Sequence, residues 1–191
     1  MVVTVVTAPT NVNFTNTSFP LRHIPTAGAS VTKVKDSLTG AGDATLFSSI
    51  NSSGVLFLNA RAFVDDSTYR IVGLSDGTTS NYIWLFYTSS SNTIRGIYAI
   101  SDVYSADISY TIPDETQFAK FAFRWAKNDF SLWYNGAKVG EDLSGNVFTT
   151  NILNDLSANR IGALDLDFYG EIKEISISSY LTDAEMITKT T

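Results

Sequence analysis

The chain lacks the residues on which much metal and nucleophile chemistry depends. Its 191 residues include no cysteine and one histidine, His23. Disulfides, thiol nucleophiles and thiolate metal sites are therefore excluded. His23 lies in a Pro-flanked stretch with no readable partner, so a catalytic triad or a histidine metal cluster is not expected.

Positive charge and long apolar runs are also scarce. The formal net charge is −6 and no basic run exists, which argues against a nucleic-acid partner because phosphate binding needs clustered Lys and Arg. The first ten residues, MVVTVVTAPT, have no positive region and too short an apolar run for a signal peptide. No segment approaches the length of a membrane span, so we expect no membrane insertion.

The residues present in quantity favour strands. Aromatics are plentiful, with 12 Phe, 9 Tyr and 3 Trp, and turn residues recur between short apolar runs, which predicts an all-β, two-sheet antiparallel β-sandwich. One helix is expected at the end of the chain, where Thr182 and Glu185 form a capping box. The predicted strands are 44–48, 54–63, 69–74, 81–88, 93–100, 103–111, 118–126, 129–134, 137–141, 157–162 and 168–178.

Residues 118–141 give the strongest local prediction. Asn135-Gly136 is a type I′ hairpin signal, and a second two-residue turn at Lys127-Asn128 would complete a three-stranded meander. The register then places six large side chains on one buried face. These are Phe121, Phe123, Trp125, Phe130, Leu132 and Tyr134, with Val139 opposite Leu132.

The other face of this meander carries Trp133, with Ala122 and Lys138 beside it and Arg124 nearby. An exposed ring with a small neighbour and two cations could bind a glycan, because sugars pack C–H faces on aromatic rings. Trp133, Arg124 and Lys138 are therefore candidate carbohydrate-binding residues. The alternative is that Trp133 packs under the C-terminal helix or a loop.

Residues 81–87, NYIWLFY, are apolar on both faces. Only one face can enter a sandwich core, so Tyr82, Trp84 and Phe86 need another cover. Three kinds of cover remain possible: the chain's own loops, a neighbouring subunit or other protein of the same assembly, or a stacked sugar. These three residues are candidate subunit or ligand contacts.

The N-terminal segment differs from the rest of the chain. Residues 1–35 contain a short apolar run and then a stretch rich in Asn, Thr, Pro and Ala. We divide the chain into this segment and a β-sandwich domain over 36–191. The segment is either coil draped over the sheet or an arm that contacts a neighbouring chain.

Four segments near the end of the chain occur in a recognisable order. They are LWYNGAKVG (132–140), ANRIG (158–162), FYGEIKEISI (168–177) and LTDAE (181–185). This order resembles the concanavalin A-like lectin/glucanase (laminin-G-like) superfamily and covers about residues 40–188. The resemblance implies a jelly roll.

A narrower resemblance suggests a biological setting. LSDGTTSN (74–81), KNDFSLW (127–133) and LTDAE together are similar to lectin-like domains of tail fibres and other structural proteins of tailed bacteriophages. This implies a non-enzymatic virion protein that attaches to a cell-surface glycan or decorates the particle, with other virion proteins or further copies of itself as partners. The alternative is a stand-alone bacterial carbohydrate-binding module.

A glycan-cleaving enzyme is the third reading. Glucanases of the resembled superfamily carry Glu-x-Asp-x-x-Glu on one strand, so that two acids flank the scissile bond. This chain has no such pattern. Its nearest pair, Glu171 and Glu174, should point to opposite faces of a strand, so we predict no enzymatic activity.

Calcium is the one cofactor that the resemblance suggests, because many members of that superfamily bind Ca²⁺ through oxygen ligands in edge loops. Five aspartates have a suitable side chain, but no run has the spacing of a dedicated ligand loop. We therefore predict solvated turns and no cofactor. The five are Asp65, Asp66, Asp102, Asp165 and Asp167.

Overall fold

The computed structural model describes residues 42–149, 151–158 and 168–191, together with the strand backbone at 4–5 and 12–15. In these ranges the chain forms twelve strands and two helices. In chain order they are β1 (Thr4–Val5), β2 (Val12–Thr15), α1 (Ala44–Ile50), β3 (Gly54–Ala62), β4 (Arg70–Ser75), β5 (Tyr82–Tyr87), β6 (Thr93–Ile100), β7 (Val103–Thr111), β8 (Ala119–Ala126), β9 (Asp129–Tyr134), β10 (Ala137–Asp142), β11 (Asp155–Ser157), β12 (Gly170–Ser178) and α2 (Asp183–Thr190).

The strands build two antiparallel sheets that pack face to face. The larger sheet has the order β1-β2-β12-β3-β8-β9-β10, and the smaller has β11-β4-β5-β6-β7. The core lies between them, where residues such as Leu58, Ile83, Tyr98 and Phe123 are fully buried. The predicted all-β sandwich with a C-terminal helix is confirmed.

The meander at 118–141 has the predicted register. Phe121, Phe123 and Trp125 pair with Tyr134, Leu132 and Phe130, and Asn135 and Gly136 have φ of 43° and 82°. One detail differs: Gly140, not Val139, lies opposite Leu132, because a register shift occurs between Lys138 and Gly140. Val139 still packs against the core.

Residues 44–48, predicted as a strand, belong to α1. Asp43 is the N-cap, and its carboxylate accepts a hydrogen bond from Leu46 N at 2.8 Å. Leu46, Phe47 and Ile50 are buried on one side of the helix, a helical spacing that a five-residue window concealed. The capping box predicted at Thr182 and Glu185 is present in α2.

Part of the N-terminal segment belongs to the larger sheet. β2 pairs with β12 of the same chain over Val12–Thr15, and β1 pairs with β2. The rest of 1–35 lies outside the described residues, so the division at residue 35 and the intersubunit arm stay predictions. In the described ranges, no helix has the length and apolar character that a membrane crossing requires.

Candidate functional site

Trp133 lies on the outer face of the larger sheet, as predicted, but its ring is covered. Its side chain is 2% exposed and packs with Val55, Phe57, Ala122 and Met186. Met186 belongs to α2, which crosses this face of the sheet. The expectation that a small neighbour leaves the ring accessible is therefore wrong, and a sugar could stack on it only after α2 moved.

Arg124 and Lys138 hold α2 in place. The Arg124 guanidinium, 3% exposed, donates to the Leu181 carbonyl at 3.1 Å and to the Asp183 carboxylate at 2.6 Å. Lys138 Nζ lies 3.1 Å from the same carboxylate. Hydrogen bonds from Arg124 and then Lys138 hold the pKa of Asp183 below its usual value. The geometry accounts for both cations as helix anchors, and a glycan role for them stays a prediction.

Tyr82, Trp84 and Phe86 share the outer face of β5, where they are buried within the single chain. Their exposed fractions are 6%, 7% and 2%, and they pack with Ile71 and Ile97. Cover by the chain itself, one of the three alternatives, accounts for this burial. These side chains are not at the surface for a subunit or ligand, and such a contact stays a prediction.

Three of the candidate calcium ligands are described, and each accepts a hydrogen bond from another side chain of the protein. Asp65 accepts from the Ser91 hydroxyl, Asp66 from the Arg70 guanidinium and Asp102 from the Ser80 hydroxyl. Asp165 and Asp167 lie outside the described residues. In the described ranges, no group of three His, Cys, Asp or Glu side chains could hold a metal ion.

Glu171 and Glu174 share one face of the sheet, contrary to prediction. Glu171 pairs with Arg61 and Glu174 with Asn59, because the register shifts between Ile172 and Glu174. Arg61 and Asn59 are two residues apart and therefore point the same way. Each carboxylate is bound by a cation: Glu171 by Arg61 at 2.9 Å and Glu174 by Lys189 at 2.8 Å.

Two exposed aromatic rings meet at one end of the sandwich. Phe63 and Tyr169 are 55% and 58% exposed, with ring centroids 5.5 Å apart and planes at 83°. They lie directly beyond the last paired residues of β3 and β12, Ala62 and Gly170. Val64 beside them is also exposed. We call Phe63, Val64 and Tyr169 the ring platform.

One buried arginine holds both segments of the ring platform. Arg70 Nε donates to the Tyr169 carbonyl at 2.6 Å, and Arg70 Nη2 donates to the Val64 carbonyl at 2.8 Å. The side chain is 0% exposed, and a buried cation is costly unless it is paired and hydrogen-bonded. Asp66 at 2.7 Å and Glu115 at 3.4 Å supply the countercharge. The planar guanidinium thus fixes the distance between the two ring-bearing segments.

Glu115 connects this arginine to two further loops. Its carboxylate accepts from Asn92 N at 3.1 Å, and its own N–H donates to Asn92 Oδ1 at 2.8 Å. Its carbonyl accepts from Ala62 N at 2.8 Å, next to Phe63. Burial raises the pKa of the Glu115 carboxyl, while the charge of Arg70 opposes the rise. The ring platform therefore rests on a fully hydrogen-bonded support.

Polar groups flank the ring platform on the same sheet face. Arg61, two residues before Phe63, pairs with Glu171, two residues after Tyr169, across β3 and β12, and their side chains are 39% and 37% exposed. The Arg61 guanidinium lies 4.7 Å from the centroid of the Phe118 ring, and Lys173 Nζ lies 3.5 Å from it. A ligand on the rings would meet a hydrogen-bond donor and an acceptor beside them.

The ring platform was not predicted from the sequence. Phe63 and Tyr169 fall inside the predicted strands 54–63 and 168–178, and strand membership predicts a face but not exposure. One signal was available: Phe63 and Val64 immediately precede the turn residues Asp65-Asp66. Apolar residues that run into a turn lie beyond the sheet that would otherwise cover them.

No family model and no curated protein matches this chain. Among solved structures, the carbohydrate-binding module CBM40 of a Ruminococcus gnavus sialidase, bound to α2,3-sialyllactose, is 15% identical over 73% of this chain and 83% of its own, with TM-score 0.56. A leech intramolecular trans-sialidase is 16% identical over 73% of this chain, with TM-score 0.60, and the binding domain of botulinum neurotoxin DC is 10% identical over 80%, with TM-score 0.57. The chain spans only 23% and 41% of these two longer chains. The likeness shows the fold.

Proposed function

We propose that this protein is a non-enzymatic, lectin-like glycan-binding domain and that the ring platform contacts the sugar. One observation carries the proposal: a buried guanidinium, Arg70, holds two exposed rings at a fixed separation. Two structural neighbours agree with it. One is a carbohydrate-binding module bound to sialyllactose, and the other belongs to botulinum neurotoxin type C, whose cell entry is dependent upon interaction with two ganglioside molecules.

The chemistry suits a sugar because rings and polar groups lie side by side. An exposed ring packs on the C–H face of a pyranose, as it does on other flat apolar groups. Arg61 donates hydrogen bonds to hydroxyl oxygens and Glu171 accepts them. Since the support is already ordered, binding costs little conformational entropy.

Replacing Tyr169 with Ser tests the proposal. Loss of one stacked ring removes about 1 kcal/mol or more, so we expect affinity for glycans bound by the wild type to fall roughly tenfold. Phe63→Ser should act in the same direction. A glycan array identifies the ligand, and calorimetry with that ligand measures the loss.

Tyr110→Ser is the matched control, because Tyr110 is an exposed tyrosine on β7 outside the ring platform. It should leave the affinity unchanged. If both Tyr169→Ser and Phe63→Ser keep the stoichiometry and the affinity of the wild type, the ring platform is rejected as a binding site. Absence of binding to every array glycan would count against the lectin-like function as a whole.

The non-enzymatic part of the proposal is supported by the state of the acids. Glu171 and Glu174 share a face, yet each is bound to its own cation, whereas glycoside hydrolysis needs one carboxyl group as acid and another as nucleophile or base. Incubating the protein with its array ligands should release no reducing sugar. Reducing sugar that is released by the wild type and not by Glu171→Gln would overturn the non-enzymatic part of the proposal.

We further propose that the domain acts in a phage particle, where it attaches to host glycan or decorates the virion. The resemblance of residues 74–81, 127–133 and 181–185 to tailed-phage domains supports this setting. The competing candidate, a stand-alone bacterial module, is favoured by the likeness to CBM40. Mass spectrometry of purified particles should detect the chain in the first case. A chain found only as a free monomer by light scattering would favour the second.

A further inference from the structure

A groove lies at the end of the sandwich away from the ring platform. It has a volume of about 390 Å³ and runs between the start of β7 and the segment 146–152. Val103 and Tyr104 form one wall and are 67% and 50% exposed. Asn146, Phe148 and Thr149 contribute to the other wall.

The wall that contains Asn146, Phe148 and Thr149 is fixed to the core by two buried polar side chains. The Tyr98 hydroxyl accepts from Phe148 N at 2.8 Å and donates to the Asn51 carbonyl at 2.8 Å. Asn51 Oδ1 accepts from Ile152 N at 2.8 Å and Leu153 N at 3.2 Å. The groove is therefore formed before a ligand arrives.

The opposite wall, formed by Val103 and Tyr104, is also held in place by contacts within the protein. Arg95 lies 5.8 Å from the centroid of the Tyr104 ring, and its guanidinium binds both carboxylate oxygens of Asp107. The turn before Tyr104 places Ser101 and Asp102 at φ of 49° and 65°. Ser101 N donates to Asn81 Oδ1 at 3.0 Å. The exposed ring thus has a supported orientation.

The groove lining indicates the ligand class. None of the described residues that line it is charged, although the chain carries a net charge of −6. It offers an exposed ring, aliphatic surface, the Asn146 amide and the Thr149 hydroxyl. The Ser105 hydroxyl is already used, since it donates to the Asn146 carbonyl at 2.7 Å and accepts from Asn146 N at 2.9 Å. A ring with uncharged donors and acceptors complements a polyol with an apolar face.

We propose that this groove is a second glycan-binding site, that its ligand is an uncharged saccharide, and that the chain is bivalent. β6 runs from Thr93, next to the Asn92 loop of the ring platform support, to Ile100 in the groove lining. Eight strand residues span roughly 23 Å. The two sites therefore lie too far apart to bind one monosaccharide. This inference shares its ligand class with the proposed function but none of its residues, so the two can fail separately.

The test compares variants of the full chain with paired probes. Lactose and 3′-sialyllactose are titrated by calorimetry, and further neutral and sialylated oligosaccharides are tested on an array. For a neutral probe that binds, Tyr104→Ala should remove one of two sites or weaken binding about tenfold, whereas Tyr104→Phe should bind like the wild type. Asn146→Leu should weaken the same site, and it provides a second variant if Tyr104→Ala does not fold.

Bivalence has its own readout. A wild-type fraction that light scattering shows to be monomeric should aggregate beads coated with the neutral glycan, and both Tyr104→Ala and Tyr169→Ser should bind such beads without aggregating them. If Tyr104→Ala and Asn146→Leu leave both stoichiometry and affinity unchanged, or if sialylated probes alone bind the groove, the inference is overturned. If only Tyr104→Ala and Asn146→Leu lose binding, whereas Tyr169→Ser and Phe63→Ser bind like the wild type, the groove stands while bivalence and the ring platform fail.

Discussion

Arg70 is the residue on which the ring platform depends most. Its side chain is fully buried and donates to two carbonyls beside the exposed rings. Arg70→Met leaves the Glu115 carboxylate buried without its cation. We therefore expect the free energy of unfolding to fall by about 3–5 kcal/mol. Urea denaturation measures the loss, and the folded fraction should bind glycan more weakly because the rings lose their fixed separation.

A nearby ion pair provides the control for this prediction. Arg61→Met removes the partner of Glu171, but both side chains are more than one third exposed, so the cost should be below about 1 kcal/mol. The double variant Arg70→Met/Glu115→Gln should be more stable than the sum of its single changes predicts, because the uncompensated charge is gone. If Arg61→Met and Arg70→Met lower the free energy of unfolding by the same amount, burial of Arg70 does not increase its contribution to stability and the prediction fails.

At the scale of elements, α2 determines whether the outer face of the larger sheet is open. Met186 packs on Trp133, and Asp183 in the first helical turn contacts Arg124 and Lys138. The helix N-terminus also favours this carboxylate. The docking of α2 is thus partly electrostatic and should respond to pH.

The direction of the pH dependence follows from the pKa of Asp183, which hydrogen bonds from Arg124 and Lys138 lower from 3.8. A carboxyl whose pKa is lower in the folded state stabilises the fold above its unfolded pKa. That stabilisation is lost as pH falls below about 3.8 through the folded pKa. Wild type should therefore lose more stability between pH 5 and pH 2 than Asp183→Asn does, by about 0.5 kcal/mol because the side chain is half exposed. Thermal melts across this range measure it, and parallel curves for the two proteins would contradict it.

The elements that the sequence predicted well are those whose pattern was long and locally specified. The β8–β9–β10 meander has two tight turns and strict alternation, so its register followed from period two alone. α1 was missed because a helix of seven residues is too short to show its period clearly. The prediction that Glu171 and Glu174 point to opposite faces was wrong, because a β-bulge adds one residue to the strand and alternation does not predict where a bulge occurs.

At the scale of the whole molecule, alternation predicts which side chains share a face but not which face is covered. Trp133 lies in the larger sheet and Tyr169 directly beyond the end of β12, yet one is 2% exposed and the other 58%. The difference is the path of α2, which depends on contacts such as Arg124 with Leu181, 57 residues apart in sequence. Alternation therefore placed Trp133 on the correct face of the larger sheet but could not predict that α2 covers it, and a glycan role for Trp133, Arg124 and Lys138 stays a prediction.

The N-terminal segment offers the last prediction. β2 pairs with β12 over Val12–Thr15, so removing residues 1–35 exposes unpaired backbone along Glu174–Ile177. An uncovered edge strand pairs readily with another chain. We therefore expect the 36–191 fragment to self-associate in size-exclusion chromatography with light scattering, whereas a fragment that begins at residue 4 and keeps both β1 and β2 should not. If the segment instead acts as an intersubunit arm, the full chain will be oligomeric and the 36–191 fragment monomeric, because the contact between copies would leave with the arm.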